Sequence, residues 1–281
     1  VGWAKNGRLR VQNVGNVRIF LHRPIPAEAK IKTAIITRHR DGKRWFVCFQ
    51  LELPDPVPVE HPGQPVGIDL GVTTIAALST GERVKAPRFY REAQRDLRVK
   101  QRRMSRRKKG STGHRKAARQ VAKTHERIAN RRRDFNHKLA RRLVVEFSLI
   151  GVEDLSVLGL SRSNLAKSVD DVAWGQLLAF LWYKAEEAGA EVVSVDPRHT
   201  SQACSCCGSI VRKALSVRVH RCPDCGLKLD RDVNAAVNVL NRMLALLECD
   251  SARTERWGAN VVGCDKRSPR SSPLKRGEDV T

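Results

Sequence analysis

The sequence of 281 residues lacks a long apolar run: no stretch reaches the length of about 18 residues that a helix needs to cross a bilayer. It also lacks a lipid-anchor motif and a secretory signal peptide. We therefore expect no membrane partner and a cytoplasmic location. An initiator Met is missing too, because the chain begins at Val1, and we expect that an N-terminal portion is absent.

Acidic residues are scarce relative to basic ones. The chain has 29 Asp and Glu and 53 Lys and Arg, which gives a net charge of +24. Such an excess favours a polyanionic partner, because Lys and Arg that neutralise phosphates release condensed counterions. With the membrane excluded, nucleic acid is the expected partner.

The excess charge is concentrated in residues 91–143, which carry 21 basic and 4 acidic side chains. Residues 110–113 divide this segment into two predicted helices. An ordinary solvated helix face mixes charges of both signs, so a net of +17 favours phosphate contacts instead. Few aromatic residues occur there, so we expect contacts with the backbone of a nucleic acid and not base stacking. The candidate nucleic-acid-binding residues are Arg102, Arg103, Arg106, Arg107, Lys108, Lys109, Arg131, Arg132 and Arg133.

The order of predicted elements indicates an α/β fold. Residues 1–60 favour strands, with a hairpin around the Asp-Gly turn at 40–43, and a Pro-rich linker at 54–65 follows. The later elements are strands at 66–72, 73–79 and 83–86, the basic helices, a strand at 149–155, a helix at 174–188, a strand at 191–196 and a helix at 231–246. This order predicts a mixed sheet covered by helices, as in the RNase H-like fold, with helical and metal-binding insertions.

Two Cys-x-x-Cys pairs, each followed by Gly, are separated by 14 residues and predict a structural Zn²⁺ site with tetrahedral thiolate ligands. Redox dithiols are the alternative for such pairs. Cys206 could replace Cys207 only at a spacing that is too short, and His220 would permit a less favoured Cys₃His site. The expected zinc ligands are Cys204, Cys207, Cys222 and Cys225.

Three isolated carboxylates form a second candidate site. Asp69 and Glu153 each interrupt an apolar strand, and Asp232 opens the last helix. A charge inside a buried strand is costly unless it is paired or binds a metal, and carboxylates from separate elements suit Mg²⁺ or Mn²⁺. Taken singly, each has an ordinary explanation as a strand-end, solvated or first-turn acid. Only their place in the RNase H-like order of elements favours a metal site that hydrolyses phosphodiesters.

Helical spacing separates the two aspartates that flank Arg231. Asp232 shares a face with apolar residues, so we expect it to point toward the sheet that carries Asp69. Asp230 aligns with a polar face of Asn234, Asn238 and Asn241, and we expect it to cap the helix. The alternative is that Asp232 only favours the positive end of the helix dipole.

Several motifs occur in the order that one family shows: GIDLG at 67–71, GVEDL at 151–155, TSQACSCCG at 200–208 and DRDVNAA at 230–236, with DDVAWG at 170–175 and VDPR at 195–198 between them. The chain thus resembles the TnpB proteins, which bacterial insertion sequences encode and which are related to type V CRISPR effectors. The resemblance covers residues 60–250 closely and the first hairpin loosely.

This resemblance implies a RuvC-type nuclease that a transposon-derived guide RNA directs to target DNA in a prokaryotic nucleoid. It implies Asp69, Glu153 and Asp232 as catalytic acids that bind Mg²⁺ or Mn²⁺, and the four cysteines as ligands of structural Zn²⁺. Two rival hypotheses are a nuclease-inactive DNA-binding relative and a transposase that joins DNA ends.

The predicted domains follow from these elements. They are a β-rich, wedge-like partial β-barrel at 1–60, a RuvC-like nuclease core at 61–199 with a basic helical insertion at 90–147, a zinc ribbon at 200–229, a final helix at 230–248 and a disordered tail at 249–281.

Overall fold

The computed structural model describes residues 2–4, 8–39, 44–54, 61–155, 171–214 and 216–248. The expected hairpin turn at 40–43, residues 55–60 of the Pro-rich linker and the tail at 249–281 lie outside the described residues. The chain divides into two compact units, one of residues 1–60 and 92–130, the other of residues 61–91 and 131–281.

The first unit contains two antiparallel sheets. Strands β1 (Gly2–Ala4), β2 (Arg8–Val11) and β3 (Gly15–Arg18) form one, and β4 (Lys30–Arg38) pairs with β5 (Trp45–Glu52) in the other. The β4–β5 pair confirms the predicted hairpin, and its register runs from Lys30 opposite Glu52 to Arg38 opposite Trp45.

Two basic helices contribute to both units: α1 (Phe89–Ser105) and α2 (Thr112–Glu146). The interruption between them covers residues 106–111 and overlaps the predicted one at 110–113, because α2 begins two residues earlier than expected. The Ser111 hydroxyl accepts a hydrogen bond from the His114 amide at 3.1 Å, so a side chain at the N-cap satisfies a backbone donor of the first turn of α2.

The second unit is built on a mixed sheet of five strands: β6 (Gln64–Asp69), β7 (Thr74–Leu78), β8 (Arg83–Lys85), β9 (Phe147–Glu153) and β10 (Glu191–Val195). Their order across the sheet is β10-β9-β6-β7-β8. Strands β6, β9 and β10 are parallel, whereas β7 and β8 continue from β6 as antiparallel neighbours. The predicted mixed α/β sheet is confirmed.

Helices cover both faces of this sheet. Every residue of β9 is buried, as expected for a strand packed on two sides. On one face, Leu143 of α2 and Leu177 of α3 (Trp174–Ala188) belong to the larger core cluster. On the other face, Val239 and Met243 of α4 (Arg231–Glu248) pack on β9 and β10.

Helix α3 ends at the predicted residue. Gly189 has a φ of 72°, a left-handed conformation that glycine adopts without penalty. Its amide donates hydrogen bonds to carbonyls of the last turn of the helix. The chain then enters β10 directly.

Helix α4 lies against the backbone of β6 because two glycines leave room for it. A Cβ atom at Gly67 would lie 2.1 Å from the Ala236 carbonyl oxygen and 2.5 Å from the Leu240 amide nitrogen. At Gly151 in β9 the nearest atoms are side-chain atoms of Met243 at 3.1 Å and Val239 at 3.2 Å. The approach at Gly67 therefore involves backbone that cannot move aside, whereas the one at Gly151 involves adaptable side chains.

We predict that Gly67→Ala destabilises the protein more than Gly151→Ala does. Overpacking costs about 1–3 kcal/mol, and the backbone contact places Gly67→Ala at or above the upper end of that range. Urea unfolding of both variants, followed by circular dichroism, measures the difference. Equal destabilisation by the two substitutions would contradict the backbone contact between α4 and β6.

Candidate metal centres and their surroundings

The ends of two neighbouring parallel strands place Asp69 beside Glu153. Ile68 is opposite Val152, so the next residue along each strand lies at the same edge of the sheet. Each carboxylate is also two residues beyond a glycine that faces α4. Since side chains of a strand alternate between faces, both belong to the α4 side.

The same geometry brings the start of α4 toward Asp69. Two residues of a strand and four residues of a helix both advance by about 6–7 Å. Gly67 contacts Ala236, so Asp69 is expected near Asp232, four residues earlier in the helix. The pKa of Asp69 agrees with this placement, because the negative charges of Asp232 and Asp230 both raise it.

Burial raises the pKa of both strand-end carboxyl groups, and repulsion from neighbouring acids adds to the effect at Asp69. The pKa of Asp69 is raised well above its usual value, first by burial and then by the charges of Glu153 and Asp232, and Arg231 opposes the change. The pKa of Glu153 is raised by burial, against a hydrogen bond from Thr200 and the charge of Arg242. An added cation would relieve this repulsion.

Asp230 caps α4, as predicted. Its Oδ1 accepts hydrogen bonds from the amides of Asp232 at 3.0 Å and Val233 at 3.3 Å. Its Oδ2 pairs with the Arg83 guanidinium at 2.7 Å. The cap leaves Asp230 with a structural role at the start of the helix.

The Asp232 carboxylate contacts two arginines. Arg231 donates to its Oδ1 from Nη2 at 3.1 Å and from Nε at 3.2 Å, and Arg218 approaches its Oδ2 at 3.6 Å. Among the described residues, only four cysteines gather three or more ligand atoms within 4.8 Å of one another. The oxygens of Asp69, Glu153 and Asp232 are therefore more widely spaced than the thiols.

The four sulfur atoms of Cys204, Cys207, Cys222 and Cys225 all lie within 4.8 Å of one another. The Sγ atoms of Cys204 and Cys225 are 3.6 Å apart, and those of Cys207 and Cys222 are 3.5 Å apart. A tetrahedral ion with Zn–S bonds of about 2.3 Å requires sulfur separations of about 3.8 Å, so the cluster has the size that zinc needs.

Two matching turns hold these thiols. The Gly208 amide donates a hydrogen bond to the Cys204 carbonyl at 2.9 Å, and the Gly226 amide donates one to the Cys222 carbonyl at 3.1 Å. Both glycines have positive φ, 81° and 76°, which explains the Cys-Gly pattern. The second turn lies between β11 (Val219–Arg221) and β12 (Lys228–Asp230), an antiparallel pair.

Neither alternative ligand joins the four-cysteine group. Cys206 is outside it, and His220 is fully buried with its Nδ1 against the Lys213 ammonium. Burial, and then the charge of Lys213, lower the pKa of His220. The four-cysteine assignment is thus favoured over a Cys₃His site.

The asparagine face of α4 is a buried contact with the segment that carries Cys204. Asn234 donates to the Ala203 carbonyl at 2.8 Å and accepts from the Ser205 amide at 3.1 Å. Asn238 donates to the carbonyls of Thr200 and Ala203, both at 2.8 Å. The periodic spacing of the asparagines was visible in the sequence, but nothing local identified their partners.

Thr200 is a further site residue that sequence reasoning missed. Its hydroxyl donates to Glu153 Oε1 at 2.5 Å, and both residues are buried. The only available signal was the position of Thr200 at the start of the TSQACSCCG motif.

The nine candidate nucleic-acid-binding residues differ in exposure. The six at 102–109 belong to the first unit and are exposed. In the second unit Arg131 and Arg133 are exposed, whereas Arg132 is half-buried. Arg132 Nε donates to the Asp171 carbonyl at 2.8 Å, and its Nη2 lies 3.4 Å from Asp171 Oδ1, so it serves packing within this unit.

Two family models match the chain in adjacent stretches. The model OrfB_IS605, described as "Probable transposase", matches residues 48–164. The model "Cas12f1-like, TNB domain" matches residues 174–239, which include α3, the four cysteines and the first half of α4.

Curated relatives carry consistent names. The chain is 40% identical over 258 residues to a "Putative RNA-guided DNA endonuclease" of Streptomyces pristinaespiralis, covering 90% of this chain and 63% of the relative. It is 30% identical over 262 residues to "Putative RNA-guided DNA endonuclease InsQ" of Escherichia coli K12, covering 87% and 64%. A TnpB-like protein of Acanthamoeba polyphaga mimivirus is 32% identical over 132 residues, covering 44% and 25%. The chain thus spans less than two thirds of these relatives' lengths.

Among its described helices, none is long and apolar enough to cross a membrane.

The raised pKa of Asp69 predicts a pH-dependent gain of stability on substitution. Above its folded-state pKa the charged carboxyl destabilises the folded protein, and this penalty disappears as the pH falls toward the unfolded-state value of about 3.9. Asp69→Asn should therefore raise the melting temperature at pH 8 in buffer without Mg²⁺ or Mn²⁺, with a smaller gain at pH 4.5, close to the unfolded-state pKa.

The exposed neighbour of Glu153, Asp154, provides the matched control. Asp154→Asn should change the melting temperature little at either pH. A lower melting temperature of Asp69→Asn at pH 8 would show that the carboxyl is stabilised without a cation, contrary to the electrostatics of the site.

Proposed function

The chain belongs to the TnpB family, and on that premise we propose that it provides the nuclease centre of an RNA-guided DNA endonuclease. In this proposal Asp69, Glu153 and Asp232 are the catalytic acids, and they bind the divalent cations that hydrolysis of DNA phosphodiesters requires. The supporting observation is geometric: Asp69 and Glu153 end adjacent parallel strands on the face that α4 covers.

The topology supports an RNase H-like (RuvC) identity for the sheet. Three consecutive antiparallel strands, β6–β8, form one side, and β9 and β10 extend the sheet on the other side in parallel with β6. Ligand sites of open α/β sheets lie at the carboxyl ends of parallel strands. Asp69 and Glu153 occupy those ends.

Mg²⁺ or Mn²⁺ fits the donor set, because hard cations prefer carboxylate oxygens. When bound, such cations activate water and stabilise the leaving oxygen of a phosphodiester. The protein contributes carboxylates that converge in a partly buried site. The charges of Glu153 and Asp232 raise the pKa of Asp69, and a bound cation would relieve this repulsion. Arg231 and Arg218 pair with the Asp232 carboxylate and partly neutralise its charge.

For the four cysteines we propose a closed, structural Zn²⁺ site. Four thiolates leave no open coordination position, so the ion would hold the two turns together and take no part in hydrolysis. The zinc ribbon at 200–229 would then be a small domain attached to the nuclease core.

The expected partners are a guide RNA and target DNA, as the names of the relatives suggest. The exposed basic residues of the first unit, with Arg131 and Arg133 of the second, supply charge for contacts with phosphates. These contacts would position a nucleic acid without reading its sequence. This proposal also includes the predicted domain boundaries, the wedge-like character of residues 1–60 and a nucleoid location.

A second candidate, DNA strand transfer, is favoured by one observation, the description of the matching family model as a transposase. The same carboxylate chemistry can join DNA ends. An assay with labelled transposon ends separates the two activities: joined products would support the transposase, and cut products alone support the nuclease.

The zinc proposal predicts about one zinc ion per chain in protein that is purified without added metal. Plasma emission spectroscopy measures the content, and Cys222→Ser should reduce both the zinc content and the melting temperature. Cys48, an exposed cysteine of the first unit, provides the control, since Cys48→Ser should retain zinc. A folded chain that contains no zinc would contradict the proposal.

The catalytic proposal predicts that Glu153→Gln lowers the rate of Mn²⁺-dependent DNA cleavage by at least about a hundredfold, because a charged metal ligand is lost at nearly constant volume. Binding of DNA, measured by fluorescence anisotropy, should change less than about threefold, since the basic residues that supply affinity are unchanged. The matched control is Asp154→Asn, which alters an adjacent exposed carboxylate. Cleavage by Glu153→Gln at the wild-type rate would exclude Glu153 from the reaction.

A further inference from the structure

The Glu153 carboxylate accepts a hydrogen bond from Thr200, in the segment that leads to Cys204. Glu153 is only 7% exposed, and Thr200, 4% exposed, donates its hydroxyl hydrogen to Glu153 Oε1 at 2.5 Å. The Pro197 carbonyl lies 3.1 Å from the same hydroxyl, but the carboxylate is the closer and more strongly accepting partner. This bond fixes one oxygen of a side chain with three rotatable torsions.

Thr200 is in turn held by α4. Asn238, 8% exposed, donates one amide group to the carbonyls of Thr200 and Ala203. Asn234, fully buried, bonds the residues on either side of Cys204. The first cysteine turn and Thr200 are therefore attached to the helix that also carries Asp232.

We propose that Thr200 is a positioning residue for Glu153, and that Asn238, Thr200 and Glu153 form a hydrogen-bonded relay through which α4 and the first cysteine turn orient a carboxylate of the nuclease centre. This inference rests on the proposed function of Glu153 as a cation ligand. Outer partners of a metal ligand typically change metal affinity by about 10- to 100-fold when they are removed. The relay therefore has a measurable consequence that does not depend on DNA cleavage.

The direct readout is Mn²⁺ affinity of the full chain without nucleic acid, measured by the electron paramagnetic resonance signal of free Mn²⁺. Thr200→Val removes the donor and keeps the shape, and it should weaken binding at the Glu153-dependent site by about tenfold or more. Thr200→Ser keeps the hydroxyl and should bind Mn²⁺ within about threefold of the wild type. A loss of affinity in both variants, or in neither, would overturn the positioning role.

Thr124 provides a matched control for the loss of a buried threonine hydroxyl. It is 4% exposed, belongs to the first unit and donates to the Gln120 carbonyl at 3.1 Å. Thr124→Val should leave Mn²⁺ affinity unchanged even if it lowers the melting temperature. An equal loss of affinity in Thr124→Val would show that general destabilisation, and not the Thr200 bond, causes the effect.

A double-substitution cycle tests the relay through Asn238. Asn238→Ala should weaken Mn²⁺ binding when Thr200 is present and should add little to Thr200→Val, because both changes interrupt one chain of contacts. Asn241 provides the control, since its amide donates to the Ser205 carbonyl, at 3.4 Å. Independent, additive effects of Asn238→Ala and Thr200→Val would exclude the relay.

Glu153→Gln distinguishes a failure of this inference from a failure of the proposed function. If Glu153→Gln abolishes the Mn²⁺ site and Thr200→Val does not weaken it, only the positioning role is excluded. If Glu153→Gln leaves Mn²⁺ binding unchanged, then Glu153 is not a cation ligand, and both the proposed function of Glu153 and the role of Thr200 are excluded.

Discussion

The close contact between helix α4 and strand β6 at Gly67 determines how the second unit is assembled. Because a Cβ atom there would lie 2.1 Å from the Ala236 carbonyl oxygen, the helix can rest on the strand only where the side chain is a hydrogen atom. This contact sets the register of α4 along the sheet. With that register, Asp232 approaches the end of β6, and the asparagine face of the same helix meets the segment around Cys204.

The register has an electrostatic consequence. Strands β6 and β9 end side by side in carboxylates, and α4 adds a third acid at its first turn. The folded chain therefore holds negative charges together in a partly buried place, which costs free energy unless cations compensate. Arginines beside Asp232 and the Thr200 hydroxyl beside Glu153 offset part of this cost. The proposed binding of divalent cations would offset the rest of this cost.

Sequence patterns predicted the elements that local chemistry determines. Asp69 and Glu153 interrupt apolar strands, which marks them as candidates, and the alignment of Asp230 with the asparagine face of α4 predicts it as the cap. The Thr200–Glu153 bond joins residues 47 positions apart, and no local pattern reports such a contact. Arg132 was grouped with its basic neighbours, although tertiary packing places it against Asp171. Its partner, too, is distant in sequence, so charge counting could not distinguish it from Arg131 and Arg133.

The central claim, that α4 places one aspartate in the nuclease centre and uses the other as its cap, can be tested by comparing Asp232→Asn with Asp230→Asn. Both substitutions keep the volume, and Asn caps a helix about as well as Asp does. Mn²⁺-dependent DNA cleavage should be lost in Asp232→Asn, with the fold retained by circular dichroism, and should remain near the wild-type rate in Asp230→Asn. Loss of cleavage in Asp230→Asn together with full activity in Asp232→Asn would contradict the assignment of the catalytic acids.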